Sequence, residues 1–513
     1  MSRKQFWLIA IFSTAGLLLL YQASSVTGLH PDEAWNFLRV DEISLGARPF
    51  QGMNSYTGPC FQYLLWPIFA LFGATISTLR ITSAFLGLGT LGLWIWLLSF
   101  ADPGRSVGLR QGLVLATLPA FVLFSRFGVE TTTLVPFLCS LGLALFWRAE
   151  MRDQWALAVG AGLAFALAAY THVLGICFPA AVVIAYLINT SKNDLRRKLP
   201  TLTAMLGAFA AVFLSFALLR FFNDPANGGG RNTLRVMFSF IFTKECWMDL
   251  RNLPSILIRI LDGSLLYRRF VGEVSIPVWP WMSALALIAC GGLWLTRKEG
   301  SFRFGRFLFA LALILPIATA MITPYYADRY FFLTLLIVPA IIAIGLQGLE
   351  ERFSVRPALV SGIVVLVSAG NIVMIWENYF SSFSMTGGRL GVFPMGARLM
   401  DTSDHFVSVE KLNEQLVREG VGQIVADEPI MLSLSYYSQR EARPWGSKRA
   451  VVTYNGPNTW AGPVTTPPPV ESFEEQGIRF VHRPNFDPHF KVYIEDEDRF
   501  RARSDNELEC QHK

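Results

Sequence analysis

Apolar and polar residues alternate along this chain in long blocks rather than in short periods. Apolar runs of roughly 17–22 residues occupy 6–23, 81–100, 112–128, 131–148, 156–173, 174–190, 201–222, 277–295, 306–323, 329–347 and 357–376. About 20 such residues in helix cross a hydrocarbon layer about 30 Å thick, so the pattern predicts about 11 membrane spans. A further run, Phe61 to Phe72, is shorter, contains Pro67 and is crowded with Phe61, Tyr63, Trp66, Phe69 and Phe72. That composition reads as a helix lying in the membrane interface; an ordinary second span is the competing reading. After Trp376 the blocks give way to soluble charge density and frequent proline. There, Ser408 to Glu419 reads as a helix capped by Ser408. Gly422 to Ala426, Ala450 to Tyr454, Ile478 to His482 and Lys491 to Ile494 read as strands. The expected fold is a polytopic α-helical membrane protein over 1–376, followed by a small extracytoplasmic α/β domain over 377–513.

Composition agrees with lipid as the main solvent. Of 513 residues, 52% are hydrophobic and 16% charged, with mean hydropathy +0.40; soluble chains carry about a quarter charged residues. The excess of 44 basic over 38 acidic side chains collects in loops. These hold Arg105 and Arg110, Arg148 and Arg152, Lys192 with Arg196-Arg197-Lys198, Arg297-Lys298 with Arg303 and Arg306, and Arg352 with Arg356. The positive-inside rule sends all of them to the cytoplasm, with the N-terminus on the same side and the first helix uncleaved. No basic stretch interleaved with aromatics suggests nucleic acid. Six cysteines show no zinc spacing. Cys139, Cys177 and Cys290 lie in apolar runs, while Cys60, Cys246 and Cys510 lie where an outer disulfide is one alternative.

This topology gathers ionisable residues from distant parts of the chain on the outer face. They are Asp32 and Glu33 in His30-Pro31-Asp32-Glu33, Arg126 and Glu130, Thr171-His172, and Arg329 in Tyr325-Tyr326-Ala327-Asp328-Arg329-Tyr330. Charges converging at one membrane surface point to a functional site. A carboxylate of Asp32-Glu33 can take a proton from a hydroxyl or amine, and Glu130 can orient an acceptor or a cation. Arg329 can hold phosphate oxygens in bidentate fashion, and His172 can do so when protonated or as a neutral donor. Gly228-Gly229-Gly230-Arg231, in a long loop, offers a cation beside a pliant backbone. Each has a structural reading too. Acids favour helix N-termini, Glu130 can pair with Arg126 one turn away, a lone histidine can be a packed one, Arg329 can anchor a helix at headgroups, and a glycine run can be loop.

In order and spacing these motifs resemble the GT-C membrane glycosyltransferases, in particular the protein O-mannosyltransferase-like branch that includes the lipid A aminoarabinose transferases. The resemblance covers roughly 1–376. It rests on Pro31-Asp32-Glu33 after the first helix, Thr57-Gly58-Pro59 before the interfacial run, and Arg80 opening the second span. Ser125-Arg126 with Glu130, Thr171-His172 and Arg329-Tyr330 continue it. It implies a GT-C core and a sugar donor on polyprenyl phosphate. The acceptor would be protein, lipopolysaccharide or another glycan, and transfer would invert the anomeric carbon. Asp32 becomes the expected base, with Glu33 and Glu130 beside it. His172, Arg329, Arg126 and Arg231 become the expected donor-phosphate contacts. Use of a divalent cation stays open. The chain departs from the pattern at His172, where some members carry lysine, at Thr57-Gly58, where the aminoarabinose branch carries Glu-Lys, and in the longer interval from Glu130 to Pro136. A transporter or lipid flippase is the alternative class, for which internal repeats and midplane charges are the expected marks; neither is visible. A scaffold for the C-terminal domain would leave the outer charges without a use.

Overall fold

Within a bilayer, only a helix satisfies its own backbone segment by segment, and the apolar runs fold accordingly. The structure is a computed structural model describing residues 2–24, 26, 29–51, 53, 56–101, 106–223, 241–271, 275–296, 303–322, 328–381, 409–426, 428–440, 448–454, 472–475, 478–486 and 490–496. The chain divides into two compact units, Met1–Ser24 with Arg39–Ser382, and Ser25–Leu38 with Phe383–Lys513.

The first unit is a helical bundle. In chain order its described helices are α1 (Arg3–Leu20), the later part of α2 (Pro31–Ser44), α3 (Cys60–Phe72), α4 (Ile76–Ala101), α5 (Val107–Ala116), α6 (Pro119–Phe124), α7 (Leu134–Arg152), α8 (Trp155–Thr171), α9 (Cys177–Asn189) and α10 (Lys192–Asn223). Then come α11 (Lys244–Leu261), α12 (Ser264–Val271), α13 (Trp281–Leu295), α14 (Arg303–Ile322), α15 (Phe332–Phe353) and α16 (Pro357–Ile375), which runs on as a π-helical turn over Trp376–Ser381. Among the described residues, six helices are long and apolar enough to cross a membrane, and six more are apolar but shorter. α3 has 13 residues, about 20 Å of helix, with Phe61, Gln62, Leu65 and Phe69 buried on one face.

Among the boundaries that differ from the apolar pattern, two have a visible cause. The run 112–128 is not one helix. Leu118 is extended before Pro119, whose ring and missing N–H end one helix and open the next. In the other direction, α10 begins at Lys192, ahead of its apolar run. Tertiary partners explain this: Lys198 reaches Asp153 and the Glu150 carbonyl, so its charge is held within the helix instead of ending it.

Close packing relies on small residues. α13 and α15 approach so nearly that a Cβ on Gly345 would stand 2.1 Å from the Ala289 carbonyl oxygen, and one on Gly292 would stand 2.1 Å from that of Gly345. Such contact lets helices associate in a solvent as apolar as themselves. Buried ion pairs tie the end where α7 and α15 finish. Arg110 meets Glu350 at 2.6 Å and the Pro357 carbonyl and Ser361 hydroxyl at 3.2 and 3.1 Å. Glu150 accepts from Tyr186 at 2.9 Å and Arg303 at 3.1 Å.

The second unit holds a five-stranded sheet ordered β1-β2-β5-β4-β3: β1 (Val421–Ala426), β2 (Lys448–Tyr454), β3 (Ser472–Glu475), β4 (Ile478–His482) and β5 (Phe490–Glu495). β1 and β2 are parallel and the other pairs antiparallel. Helices α17 (Val409–Arg418) and α18 (Glu428–Arg440) pack on β1. Ile478, Phe480 and Tyr493 form a small core beside Val451 and Phe473.

Candidate functional site

The site in the bundle is built where α8 stops. His172 leaves the helix with extended backbone, φ −158° and ψ 140°, and so can pair like a strand. Its partner is Thr57, in an antiparallel bridge. The Gly58 N–H donates to the Thr171 carbonyl at 3.1 Å, and the Val173 N–H donates to the Tyr56 carbonyl at 2.9 Å. Only glycine fits at 58, because a Cβ there would lie 1.6 Å from the Tyr170 carbonyl oxygen. Thr57-Gly58 and Thr171-His172, read separately in the sequence, are therefore one junction.

The bridge buries the His172 side chain. Its Nδ1 accepts the Leu174 N–H at 3.2 Å, which leaves the ring proton on Nε2. The ring lies between those of Tyr56 and Tyr330, with centroids 5.6 and 5.8 Å away. Burial, and then the Arg329 guanidinium, push its pKa down to about 3. Of its two expected states, the structure selects the neutral donor.

Arg329 and Tyr330 belong to a 3-10 turn, Asp328–Phe331, that opens α15. The Arg329 guanidinium lies 5.5 Å from the Tyr330 ring centroid. One cation, one neutral N–H donor and two tyrosine rings thus share a corner of the bundle. On the far side of the bridge, Tyr170 stacks on Phe216 at 3.7 Å and meets the edge of Phe50 at 5.6 Å. Arg220 lies 5.5 Å over that Phe50 ring. Phe50 has φ +71°, an outlier for a bulky residue. Nothing in the sequence singled out Arg220 except its position as a cation in the last turn of an apolar helix. A shallow, open depression lies alongside, lined by Arg39, Glu42, Arg48, Phe50, Gln51 and Pro59 among others.

Arg126, an expected phosphate contact, has other partners. It is fully buried and donates to the carbonyls of Leu18, Leu19 and Tyr21 at 2.7, 3.1 and 2.7 Å. The Phe380 and Tyr379 rings lie 4.9 and 5.7 Å from its guanidinium. Arg80 donates to the next carbonyl used, that of Ala23, at 2.9 Å. Two buried cations thus meet the negative end of the α1 dipole. Arg126 spends its charge there and not on Glu130, which is buried in the turn between α6 and α7. Arg231 lies outside the described residues.

Asp32 and Glu33 lie in the second unit, and there the pair divides. Pro31 takes the first position of α2, where its missing N–H costs nothing. Glu33 is buried and accepts the His30 N–H at 3.0 Å, the return bond of a capping box. Asp32 donates its own N–H to His30 Nδ1 at 3.0 Å, and its carboxylate stands 3.8 Å from that nitrogen with 18% exposure. Glu33 builds the helix end, and Asp32 is the carboxylate that solvent reaches. Among the described residues, no three His, Cys, Asp or Glu side chains gather as metal ligands, and Cys60 is a free thiol. Cys510 is outside the described residues.

Residues 56–216, which run from the bridge to the Tyr170 stack, match the family model for dolichyl-phosphate-mannose-protein mannosyltransferase. The chain superimposes on ArnT from Cupriavidus metallidurans bound to undecaprenyl phosphate, with TM-score 0.58 at 13% identity, over 96% of this chain and 98% of that one. The chain has the GT-C glycosyltransferase fold. The GT-C likeness extends to the Archaeoglobus fulgidus oligosaccharyltransferase in complex with zinc and sulfate, with TM-score 0.52 at 12% identity, over 87% of this chain and 68% of that one. AglB from the same organism, in complex with an inhibitory peptide and a dolichol-phosphate, gives TM-score 0.51 at 12% identity over 88% and 70%. No curated protein sequence matches this chain.

Proposed function

We propose that the chain is a membrane glycosyltransferase that moves a sugar from a polyprenyl-phosphate donor to a protein, lipopolysaccharide or other glycan acceptor. The observation that carries this reading is the bridge between Thr57 and His172, which sets a neutral Nε2–H donor beside the Arg329 cation at one corner of the bundle. Those groups suit the oxygens of a phosphate that must leave with its electrons. The ArnT relative, whose structure holds undecaprenyl phosphate, supports the same donor class.

In the proposed reaction, the Asp32 carboxylate takes the proton of the acceptor hydroxyl or amine. The freed lone pair attacks the anomeric carbon from the face opposite the phosphate, the bond from that carbon to the phosphate oxygen breaks, and polyprenyl phosphate departs. Configuration at the anomeric carbon inverts. Arg329 and His172 meet the charge that grows on the phosphate, and Glu130 orients the acceptor. Arg126 acts through α1 and not on the donor, while Arg231 stays a candidate contact on sequence alone. The sugar is a hexose or a pentose. The protein resides in the inner (plasma) membrane with its N-terminus in the cytoplasm and the C-terminal domain and reaction on the opposite side.

The test is sugar release from a panel of polyprenyl-phosphate sugars, with candidate acceptors, by purified wild type and Asp32→Asn. Release by wild type, lowered at least a thousandfold in the variant, is the expected result. Equal release by both removes Asp32 as the base. Absence of binding to every donor in the panel transfers the weight to a flippase or transporter.

A further inference from the structure

The mechanism above gives the sheet-bearing unit no task, yet that unit contains the segment with the proposed base. Ser25–Leu38 clusters with Phe383–Lys513. Within it, the Phe37 ring lies 4.7 Å from the Tyr436 ring on α18, tilted by 44°. Phe37 and, one turn earlier, Ala34 are fully buried. Asp32 precedes Phe37 by five residues, which on a helix is about 140° round the axis and about 7.5 Å along it. One face of this helical segment is thus given to packing, while Asp32 lies well round from it and stays partly exposed.

On α18, Ile430, Leu434 and Tyr437 recur at helical spacing and are buried, the stripe a helix needs to cover its own sheet. Tyr436 is about 100° round from Tyr437 and meets that ring edge-on at 5.4 Å. It is an additional buried aromatic, off the stripe and placed against Phe37.

We propose that the α/β domain is a positioning element for sugar transfer, in which Tyr436 against Phe37 fixes the rotation of α2 about its axis and so the bearing of the Asp32 carboxylate. This rests on the reading of Asp32 as base. A rotation of roughly 15° carries a side chain about 5 Å from the axis through more than 1 Å, and a misplacement of about 1 Å costs roughly a hundredfold in rate. Tyr436 and Phe37 are positioning residues, since neither touches the reacting atoms in this scheme.

The experiment uses the full chain as wild type, Tyr436→Ala, Tyr436→Phe and Asp32→Asn. Turnover and donor KM are measured with the polyprenyl-phosphate sugar that wild type accepts, and hydrogen–deuterium exchange is followed for the amides of 32–38 and of α8. Tyr436→Ala is expected to lower kcat roughly a hundredfold with donor KM changed less than about twofold. Exchange should quicken at 32–38 and not in α8, and Tyr436→Phe should behave as wild type. Unchanged kcat in Tyr436→Ala, or unchanged exchange at 32–38, overturns the positioning role, and a dead Asp32→Asn in the same series leaves the base in place. An active Asp32→Asn removes the base and this proposal together. The exchange arm needs no substrate, so it decides even where turnover is not seen.

Discussion

His172 shows how one hydrogen bond sets the chemistry of a side chain. With Nδ1 already accepting the Leu174 N–H, a second proton on the ring would need to displace that bond, in a buried place beside Arg329. The sign of its effect on stability follows. The folded pKa, about 3, lies below the ordinary 6.5, so as pH falls the unfolded chain binds the proton first. This group's contribution is complete above about pH 6.5 and is lost on the way down to about 3, at up to about 1.4 kcal/mol per pH unit. Replacing His172 with Gln keeps an N–H donor and removes the titration. Thermal unfolding in detergent should then depend less on pH between 6 and 4 than in wild type. An identical slope would place the titrating group elsewhere. The sequence showed His172 as a candidate, but its protonation state depended on the tautomer, and that is fixed by backbone geometry no residue letter displays. The partners of Arg126 were hidden for a related reason, since no residue letter shows that carbonyls of the α1 end accept from its guanidinium.

At the level of elements, the apolar blocks made the helices legible because lipid leaves the backbone no other economical conformation. The break before Pro119 was hidden by the even hydrophobicity of 112–128, although proline does not continue a helix without loss. The start of α10 was hidden by Lys198, whose partners Glu150 and Asp153 lie 48 and 45 residues earlier. In the sheet, β4 coincides with the alternating stretch Ile478 to His482. β3 went unread because Ser-Phe-Glu-Glu carries too few apolar residues to show a period. The bridge between α3 and α8 was the element most completely hidden, because both halves look like loop. Its dependence on Gly58 is testable. Gly58→Ala forces Cβ onto the Tyr170 carbonyl, and should cost about 1–3 kcal/mol or more together with most of the transfer activity. A variant with wild-type melting temperature and turnover would show that the junction yields.

For the molecule as a whole, the alternation of helices places the loop at Gln154 and the turn at Ser354 at one end, since α7 and α15 both finish there and Glu150 and Glu350 anchor the clusters around them. The proposed orientation puts that end in the cytoplasm. Gln154→Cys and Ser354→Cys, both at exposed positions, should react with an impermeant maleimide only from the cytoplasmic side; labelling from outside would invert the molecule. That orientation rests on loop charge, because orientation is decided by where lysine and arginine fall in sequence. The grouping of Ser25–Leu38 with the sheet was unreadable, since it joins segments more than three hundred residues apart. The two arginines at the end of α1 carry a consequence for biogenesis. Arg80 follows the carbonyl it binds by 57 residues, and Arg126 follows the first of its three by 108. At about 5–20 residues per second of synthesis, α1 therefore waits some five to twenty seconds in the membrane with its last carbonyls lacking their final partners. During that interval its depth and tilt are free to adjust, and the first helix to be made is fixed only after the chain through α6 has followed it.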